Sequence, residues 1–266
     1  MMKVIDFHAH AFPDKVAEMA IPSLEKERDI RAKLDGKVSS LLDSMDSSGI
    51  DSSVVASIAT RPEQFGSILN WSKEIVSDRI IPFASVHPDD PDALVHIEMI
   101  ASAGLKGVKL HPYYQKFTVD EQRMYPVYKK LVECNLILLL HTGYDLFLGW
   151  EKIANPERVI KIAENFPDLK LVTSHFGAWQ DWEDSRKYIL GKPIYMDIAF
   201  SIHLLGLEKA KEFLITHPSE YILFGTDSPW ADQKETLDYI DAMNLQQHRK
   251  EKLLWKNAEK LLSLTD

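Results

Sequence analysis

Eight short β-branched or apolar runs, each followed by a polar or glycine-containing loop and then an amphipathic stretch, set the strongest limit on how this chain can fold. The runs are Lys3–Phe7, Ser53–Ile58, Ile80–Val86, Gly107–Leu110, Leu136–Leu140, Lys170–Ser174, Ile194–Ile198 and Tyr221–Phe224. Helical periodicity lies near 37–48, 63–77, 91–103, 120–134, 155–166, 206–216, 232–243 and 249–264, and more weakly at 179–190. Strand and helix in regular alternation read as βα repeats around a parallel sheet. The strand runs are near-continuously apolar, as a sheet covered on both faces requires. Eight such repeats in 266 residues predict a (β/α)8 TIM barrel, with a doubly wound open sheet as the alternative. No linker, low-complexity tract or internal repeat divides the chain, so 1–266 is expected to form a single domain. The segment 11–36 is longer than a usual βα loop and is expected to cap the mouth of a site.

Charge and cysteine usage narrow the partners. Lysine and arginine number 31 against 40 acidic residues, a net charge of −9. That balance argues against a nucleic-acid partner, since phosphate binding needs clustered cations. The longest apolar run, Leu136 to Leu140, is far too short to span a bilayer. Cys134 is the only cysteine, which excludes an intrachain disulfide and suits a reducing compartment. The start, MMKVIDFHAHAF, has acid and histidine where a signal peptide needs an apolar stretch. The expectation is a cytoplasmic protein acting on a small molecule, with neither membrane nor nucleic acid as partner.

Chemistry concentrates at the ends of the strand runs. Asp6-Phe7-His8-Ala9-His10 closes the first. Strict alternation would place Asp6, His8 and His10 on one face and Phe7 and Ala9 on the other. Two imidazoles two residues apart on one face can bind one metal ion, although such a pair alone could equally be surface histidines. His111, His141 and His175 also directly follow strand runs, and the eighth run ends in Phe224-Gly225-Thr226-Asp227-Ser228-Pro229-Trp230. In a βα barrel all strand C-termini converge on the face where active sites are built, so these groups would meet in one pocket. His87 could line the same mouth or start a loop. His96, His203, His217 and His248 fall in helical or loop stretches and read as solvated or capping.

Further candidates share that face. Lys109 and His111 lie on one side of the fourth run, where the ammonium could bind an anionic substrate group or pair with a barrel carboxylate. Arg61, in Ala59-Thr60-Arg61-Pro62, could hold a carboxylate bidentately or face solvent. Tyr113, Tyr114, Tyr144, Phe147, Trp150, Trp179, Trp182 and Trp230 crowd the same loops. Such residues, Trp230 among them, can wall a small-molecule pocket, pack loops onto the rim, or form the contact of a homodimer.

The set DFHAH, GVKLHP, HTG, SHFG and GTDSPW, in this order, resembles the amidohydrolase superfamily, and most nearly its amidohydrolase-2 branch, which includes aminocarboxymuconate-semialdehyde decarboxylase. The closing stretch from Trp255 to Leu262 looks like that branch's C-terminal helix. The resemblance covers essentially the whole chain; it is specific for fold and poorly specific for substrate. It implies one divalent metal, Zn²⁺ first among candidates, held by His8, His10, His141 and Asp227. His175 would polarise the substrate or, in two-metal relatives, hold a second ion. Lys109 stands where some two-metal relatives have a carboxylated lysine, so two metals stay open.

Three imidazoles and a carboxylate leave a coordination position for water, the mark of a catalytic site. The expected function is a metal-dependent hydrolase attacking a small amide, lactone or ester carbonyl with metal-bound hydroxide. Asp227 would be the general base and His175 would stabilise the developing charge. The alternative is decarboxylation of an unsaturated or aromatic carboxylic acid at the same site. Phosphoester cleavage is disfavoured because Lys109 replaces the glutamate that such barrels carry, and a metal-storing module would have no open coordination position.

Overall fold

A computed structural model describes residues 2–145 and 148–264; Phe147, one of the rim aromatics named above, lies outside the described residues. Among the described residues eight strands form: β1 (Ile5–Ala9), β2 (Ser52–Ala56), β3 (Ile80–Phe83), β4 (Gly107–Leu110), β5 (Ile137–Leu140), β6 (Lys170–Thr173), β7 (Tyr195–Asp197) and β8 (Ile222–Leu223). They pair in parallel in two ladders, β1-β2-β3 and β4-β5-β6-β7-β8. Two seams close the circle. An Ala84–Val108 bridge, with Lys109 N donating to Ala84 O at 2.8 Å, joins β3 to β4. An Ala9–Ser228 bridge, with Phe7 N donating to Phe224 O at 2.7 Å, joins β8 back to β1. An open sheet would leave β1 and β8 as edges, so closure excludes the doubly wound alternative and establishes the TIM barrel.

Alternate strand residues fill two different cores. Phe7, Val54, Phe83, Leu139, Val172 and Leu223 meet inside the barrel, while Val108, Leu110, Leu138, Leu140 and Leu171 pack outward on Val127, Leu131, Val159 and Ile162 of the surrounding helices. Both faces are covered, which is why the strands are mostly apolar and why the polar residues they do carry, such as Asp6, His8, Lys109 and Asp197, are buried. Helix starts follow local chemistry: Pro156 takes the first position of Pro156–Asn165 after Asn155. Asp232 caps Gln233–Ala242 by accepting from Glu235 N at 2.8 Å. The long 11–36 segment carries a helix of its own, Asp14–Arg28, stopped where Asp29 turns left-handed and returns its N–H to Glu25 O.

The strand that carries the first two histidines departs from strict alternation. Its register runs Ile5↔Ser52 and Asp6↔Ser53, then Ala9↔Val55, so β1 takes three steps where β2 takes two. This is a β-bulge. Phe7 remains inside, edge-on to Phe83 at 5.8 Å between ring centroids, and His8 turns inward beside it. Asp6 is left on the other side, where its carboxylate accepts from Thr226 N (3.0 Å), Thr226 Oγ1 (2.6 Å) and Gln233 Nε2 (2.9 Å). The expected sharing of one face by Asp6, His8 and His10 therefore does not hold; Asp6 instead ties β1 to the loop after β8. Burial lifts its carboxyl to about 6 despite those hydrogen bonds.

The helix expected near 249–264 forms as one uninterrupted run over 247–262, with a wider turn at Lys252–Lys256 between Gln247–Glu251 and Asn257–Leu262. Phe224 N, just after β8, donates to Leu253 O at 2.9 Å and ties that turn to the barrel. One other expectation changes. His217, expected to be solvated or capping, is fully buried: its Nδ1 accepts from Gly191 N at 3.3 Å and its Nε2 donates to Ile194 O at 3.0 Å. Both partners suit the neutral ring, and burial lowers its pKa to about 4.

Below its ordinary pKa of about 6.5 the unfolded chain binds a proton that the folded chain refuses until about pH 4. Stability from this group is therefore lost as pH falls through that window. Urea melts at about pH 7 and about pH 4.5 should show the advantage of wild type over His217→Gln shrinking by about 2 kcal/mol toward acid. A constant difference would mean that His217 does not link folding to pH.

Candidate metal centre and its cavity

The C-terminal ends of the strands open into a cavity of about 270 Å³. His8 and His10 from β1, Lys109 and His111 from β4, His141 and Asp145 after β5, His175 and Trp179 after β6, Phe200 after β7, and Asp227 and Trp230 after β8 all line it. Phe12, Leu24 and Ile30 of the 11–36 segment close one side, the capping position expected from that segment's length. Arg61 is not among the lining residues. It is exposed, in the extended backbone that a following proline favours (φ −148°, ψ 149°), and its neighbour Thr60 reaches the cavity instead. The aromatics divide as well: Tyr114, Trp179 and Trp230 face the cavity. The Tyr113 hydroxyl lies 2.7 Å from Glu151 O and 3.0 Å from Gly143 O, its one proton shared between the two carbonyls, and stitches the loop after β5. Trp150 is 69% exposed on the rim.

Hydrogen bonds behind the rings decide what the imidazoles offer. His8 Nδ1 lies 2.8 Å from Asp197 Oδ2, His10 Nδ1 2.7 Å from Ala56 O, and His175 Nδ1 2.8 Å from Ala199 O. His141 is held by the other nitrogen, its Nε2 2.9 Å from Tyr144 O. Carbonyl and carboxylate oxygens only accept, so each of these nitrogens carries the ring proton. In the neutral rings the bare lone pairs are then His8 Nε2, His10 Nε2, His175 Nε2 and His141 Nδ1. Burial holds His8 and His141 well below the usual histidine range, and lowers His175. His175 Nε2 and His141 Nδ1 face each other at 3.3 Å, two lone pairs with no proton assigned between them.

Asp227 stands against the first pair. Its Oδ1 is 3.1 Å from His10 Nε2 and 3.4 Å from His8 Nε2. Burial works to raise its pKa, while positive charge on His8 and His10 would hold the carboxyl well below the ordinary range; beside neutral rings a bound divalent ion would supply that charge and keep it an anion. Potential ligand atoms of His8, His10 and Asp227 all lie within 4.8 Å of one another. Converging imidazole lone pairs beside a carboxylate are the donor set of a divalent ion such as Zn²⁺, and the residues fit one. Lys109 Nζ lies 3.0 Å from His8 Nε2; burial lowers its pKa to about 8 against the pull of Asp227 and Asp197.

His141, expected beside His8, His10 and Asp227, falls within ligand distance of His111 and Asp145 instead. That second group is no comparable seat. The His111 and His141 rings are stacked at 4.0 Å and 15°, so their in-plane lone pairs run side by side instead of converging. His111 Nε2 lies 3.5 Å from Asp145 Oδ2. His141 reaches the first group through His175. The expected role of His175 as an oxyanion donor also meets an obstacle: its Nδ1–H is engaged by Ala199 O, so Nε2 of the neutral ring can accept a proton or a cation but cannot donate.

Backbone strain collects here. His175 (φ 62°), Phe176 (φ 55°), Phe200 (φ 43°) and Asp227 (φ 68°) occupy the left-handed region, costly for residues other than glycine and found at functional sites. Asp227 N donates to His8 O at 2.7 Å and His175 N to Asp197 Oδ1 at 2.8 Å, bonds that hold the turns. The glycines of the HTG and GTDSPW motifs answer to space. A Cβ on Gly143 (φ 92°) would come within 2.1 Å of Trp179 N, and one on Gly225 within 3.0 Å of His8 Cβ. The sequence reading missed Asp197. The signal was present as a single acid inside the buried apolar run Ile194–Ile198, since an acid is rarely buried without partners.

A family model described as Amidohydrolase matches residues 5–264. Among curated proteins no match was found. Solved structures that share the fold include the following three. An uncharacterised TIM-barrel protein from Bordetella bronchiseptica is 19% identical, with TM-score 0.79 over 98% of this chain and 99% of that one. The 5-carboxyvanillate decarboxylase from Sphingomonas paucimobilis is 14% identical, with TM-score 0.78 over 100% of both chains. A candidate 2-pyrone-4,6-dicarboxylic acid hydrolase from Pseudomonas putida is 16% identical, with TM-score 0.70 over 100% of this chain and 99% of that one.

Proposed function

The chain belongs to the amidohydrolase family, a family of metal-dependent enzymes, and on that premise we propose that it hydrolyses a small amide, lactone or ester. The observation that carries the proposal is the convergence of bare imidazole nitrogens on the ionised Asp227. His8, His10 and Asp227 would hold one ion, proposed to be Zn²⁺, with the His141–His175 pair facing the same space. When bound, the ion acidifies water and polarises a carbonyl oxygen. The remaining work falls to the chain. Asp227 takes the proton of the attacking water and returns it to the leaving group. Lys109, at the floor and 3.0 Å from His8 Nε2, supplies the N–H that the oxyanion needs and that His175 lacks. Trp230, Tyr114 and His111 flank the substrate.

Hydrolysis is preferred over decarboxylation because no guanidinium stands among the described residues of the cavity to hold a substrate carboxylate bidentately. Among the described lining residues there is no arginine; Lys109 is the one ammonium, and Asp145 and Asp227 supply negative charge. An acid would have only Lys109 and the bound ion to hold its carboxylate, whereas a neutral carbonyl needs no more than those two. Decarboxylation of an aromatic acid is kept as the second reading because Phe12, Trp179, Phe200 and Trp230 give the cavity an aromatic wall, and because the Sphingomonas relative is named as a decarboxylase.

The proposal also takes 1–266 as one domain in a cytoplasmic setting, forming a homodimer through its aromatic rim. In its favour stand the lone Cys134, the absence among the described residues of a helix long and apolar enough to cross a membrane, and the exposed Leu148 and Trp150.

Protein purified without chelator should carry about one equivalent of Zn²⁺ per chain by elemental analysis, and should release acid from a panel of lactones, esters and amides. Carbon dioxide from aromatic acids, with no acid released from the panel, would move the assignment to the second reading. Protein that takes up no divalent ion on reconstitution would overturn both.

A further inference from the structure

We infer that Asp197 is the positioning residue of this centre: one buried carboxylate determines which nitrogen of His8 carries the proton and holds the turn that aims His175. The inference rests on the reading of His8 as a ligand. Asp197 closes β7 and is fully buried. Its Oδ2 accepts from His8 Nδ1 at 2.8 Å. Its Oδ1 accepts from two backbone groups, His175 N at 2.8 Å and Ala199 N at 3.0 Å.

Each bond has a separate consequence. The bond to Oδ2 places the His8 proton on Nδ1 and so leaves Nε2 unprotonated, its lone pair toward Asp227 and within 3.0 Å of Lys109 Nζ. The bond from His175 N fastens a residue in the left-handed region (φ 62°), where the backbone would not stay unaided. The bond from Ala199 N presents Ala199 O to His175 Nδ1 at 2.8 Å, which sets the second ring. A carboxylate that only knitted β6 to β7 would need Oδ1 alone; Oδ2 reaches instead to β1.

The two oxygens can be separated by Asp197→Asn. The amide oxygen keeps the two backbone donors, so the turn and the fold survive. The amide nitrogen then faces His8 Nδ1, donor against donor, and the ring moves its proton to Nε2. That closes the lone pair directed at Asp227, whereas His175 keeps its Nδ1–H. Partners of this kind change metal affinity by about 10–100-fold.

The experiment uses metal-free protein. Zn²⁺ titration should show D197N binding about 10–100-fold more weakly than wild type, with a melting temperature close to wild type. Nitrogen-15 imidazole spectra should show His8 passing from the Nδ1–H to the Nε2–H form and His175 unchanged. Wild-type Zn²⁺ affinity in D197N, or His8 retaining Nδ1–H, overturns the inference. If D197N does not fold, the spectrum of wild type decides: Nδ1–H on His8 supports it and Nε2–H overturns it. A wild type that binds no Zn²⁺ would instead defeat the metal reading, while the His8 tautomer would still judge Asp197.

Discussion

Asp227→Asn is expected to lower turnover by about 10³-fold or more, the loss typical when a general base is removed, while the barrel stays folded and much of the metal stays bound. The carboxamide keeps the shape of Asp227 and can keep its backbone bond to His8 O, so the left-handed turn at 227 survives. It can offer one oxygen as a ligand. What it loses is the negative charge and the ability to take a proton, and Asp227 is the ionised carboxylate that touches both His8 Nε2 and His10 Nε2. Turnover, metal content and thermal stability measured on one preparation separate the cases. Near-wild-type turnover would show that another group is the base. Loss of all metal would make Asp227 chiefly a ligand.

His8→Ala combined with His10→Ala is expected to weaken metal binding by at least ~10³-fold, because two of the converging nitrogens disappear together. The substitutions also leave Asp197 Oδ2 and Lys109 Nζ without the partners they have at 2.8 and 3.0 Å. A buried charge stripped of its partner costs several kcal/mol, so a lower melting temperature should accompany the loss. Elemental analysis after dialysis against trace metal reads the first effect and calorimetry the second. Full occupancy in the double variant would place the centre elsewhere in the barrel.

The barrel was legible because fold class is written in local patterning. A run such as Leu136–Leu140 is apolar at every position only when both faces are covered, and eight mostly apolar runs alternating with amphipathic stretches leave few architectures. The gathering of His8, His10, His111, His141, His175 and Asp227 on one cavity was legible for the same reason, since each follows a strand and parallel strands end together. Arg61 follows a strand too, yet its side chain is exposed. The position after a strand brings a residue to the right end of the barrel; it does not choose the rotamer.

What only the tertiary structure decided was the direction in which each group points. The bulge in β1 exists in its pairing with β2, and without that partner Asp6 and His8 look alike. The wider turn inside the C-terminal helix coincides with a bond from Phe224 N to Leu253 O, which no periodicity within 249–264 can announce. The proton positions depend on acceptors far along the chain: His8 meets Asp197 across 189 residues and His10 meets Ala56 across 46. Secondary-structure type and apolar patterning are properties of a residue and its near neighbours, so the sequence by itself determined the barrel and the composition of its mouth. Which nitrogen is left bare, and which ring faces an ion, is a property of contacts between distant residues, and those exist only once the barrel has closed.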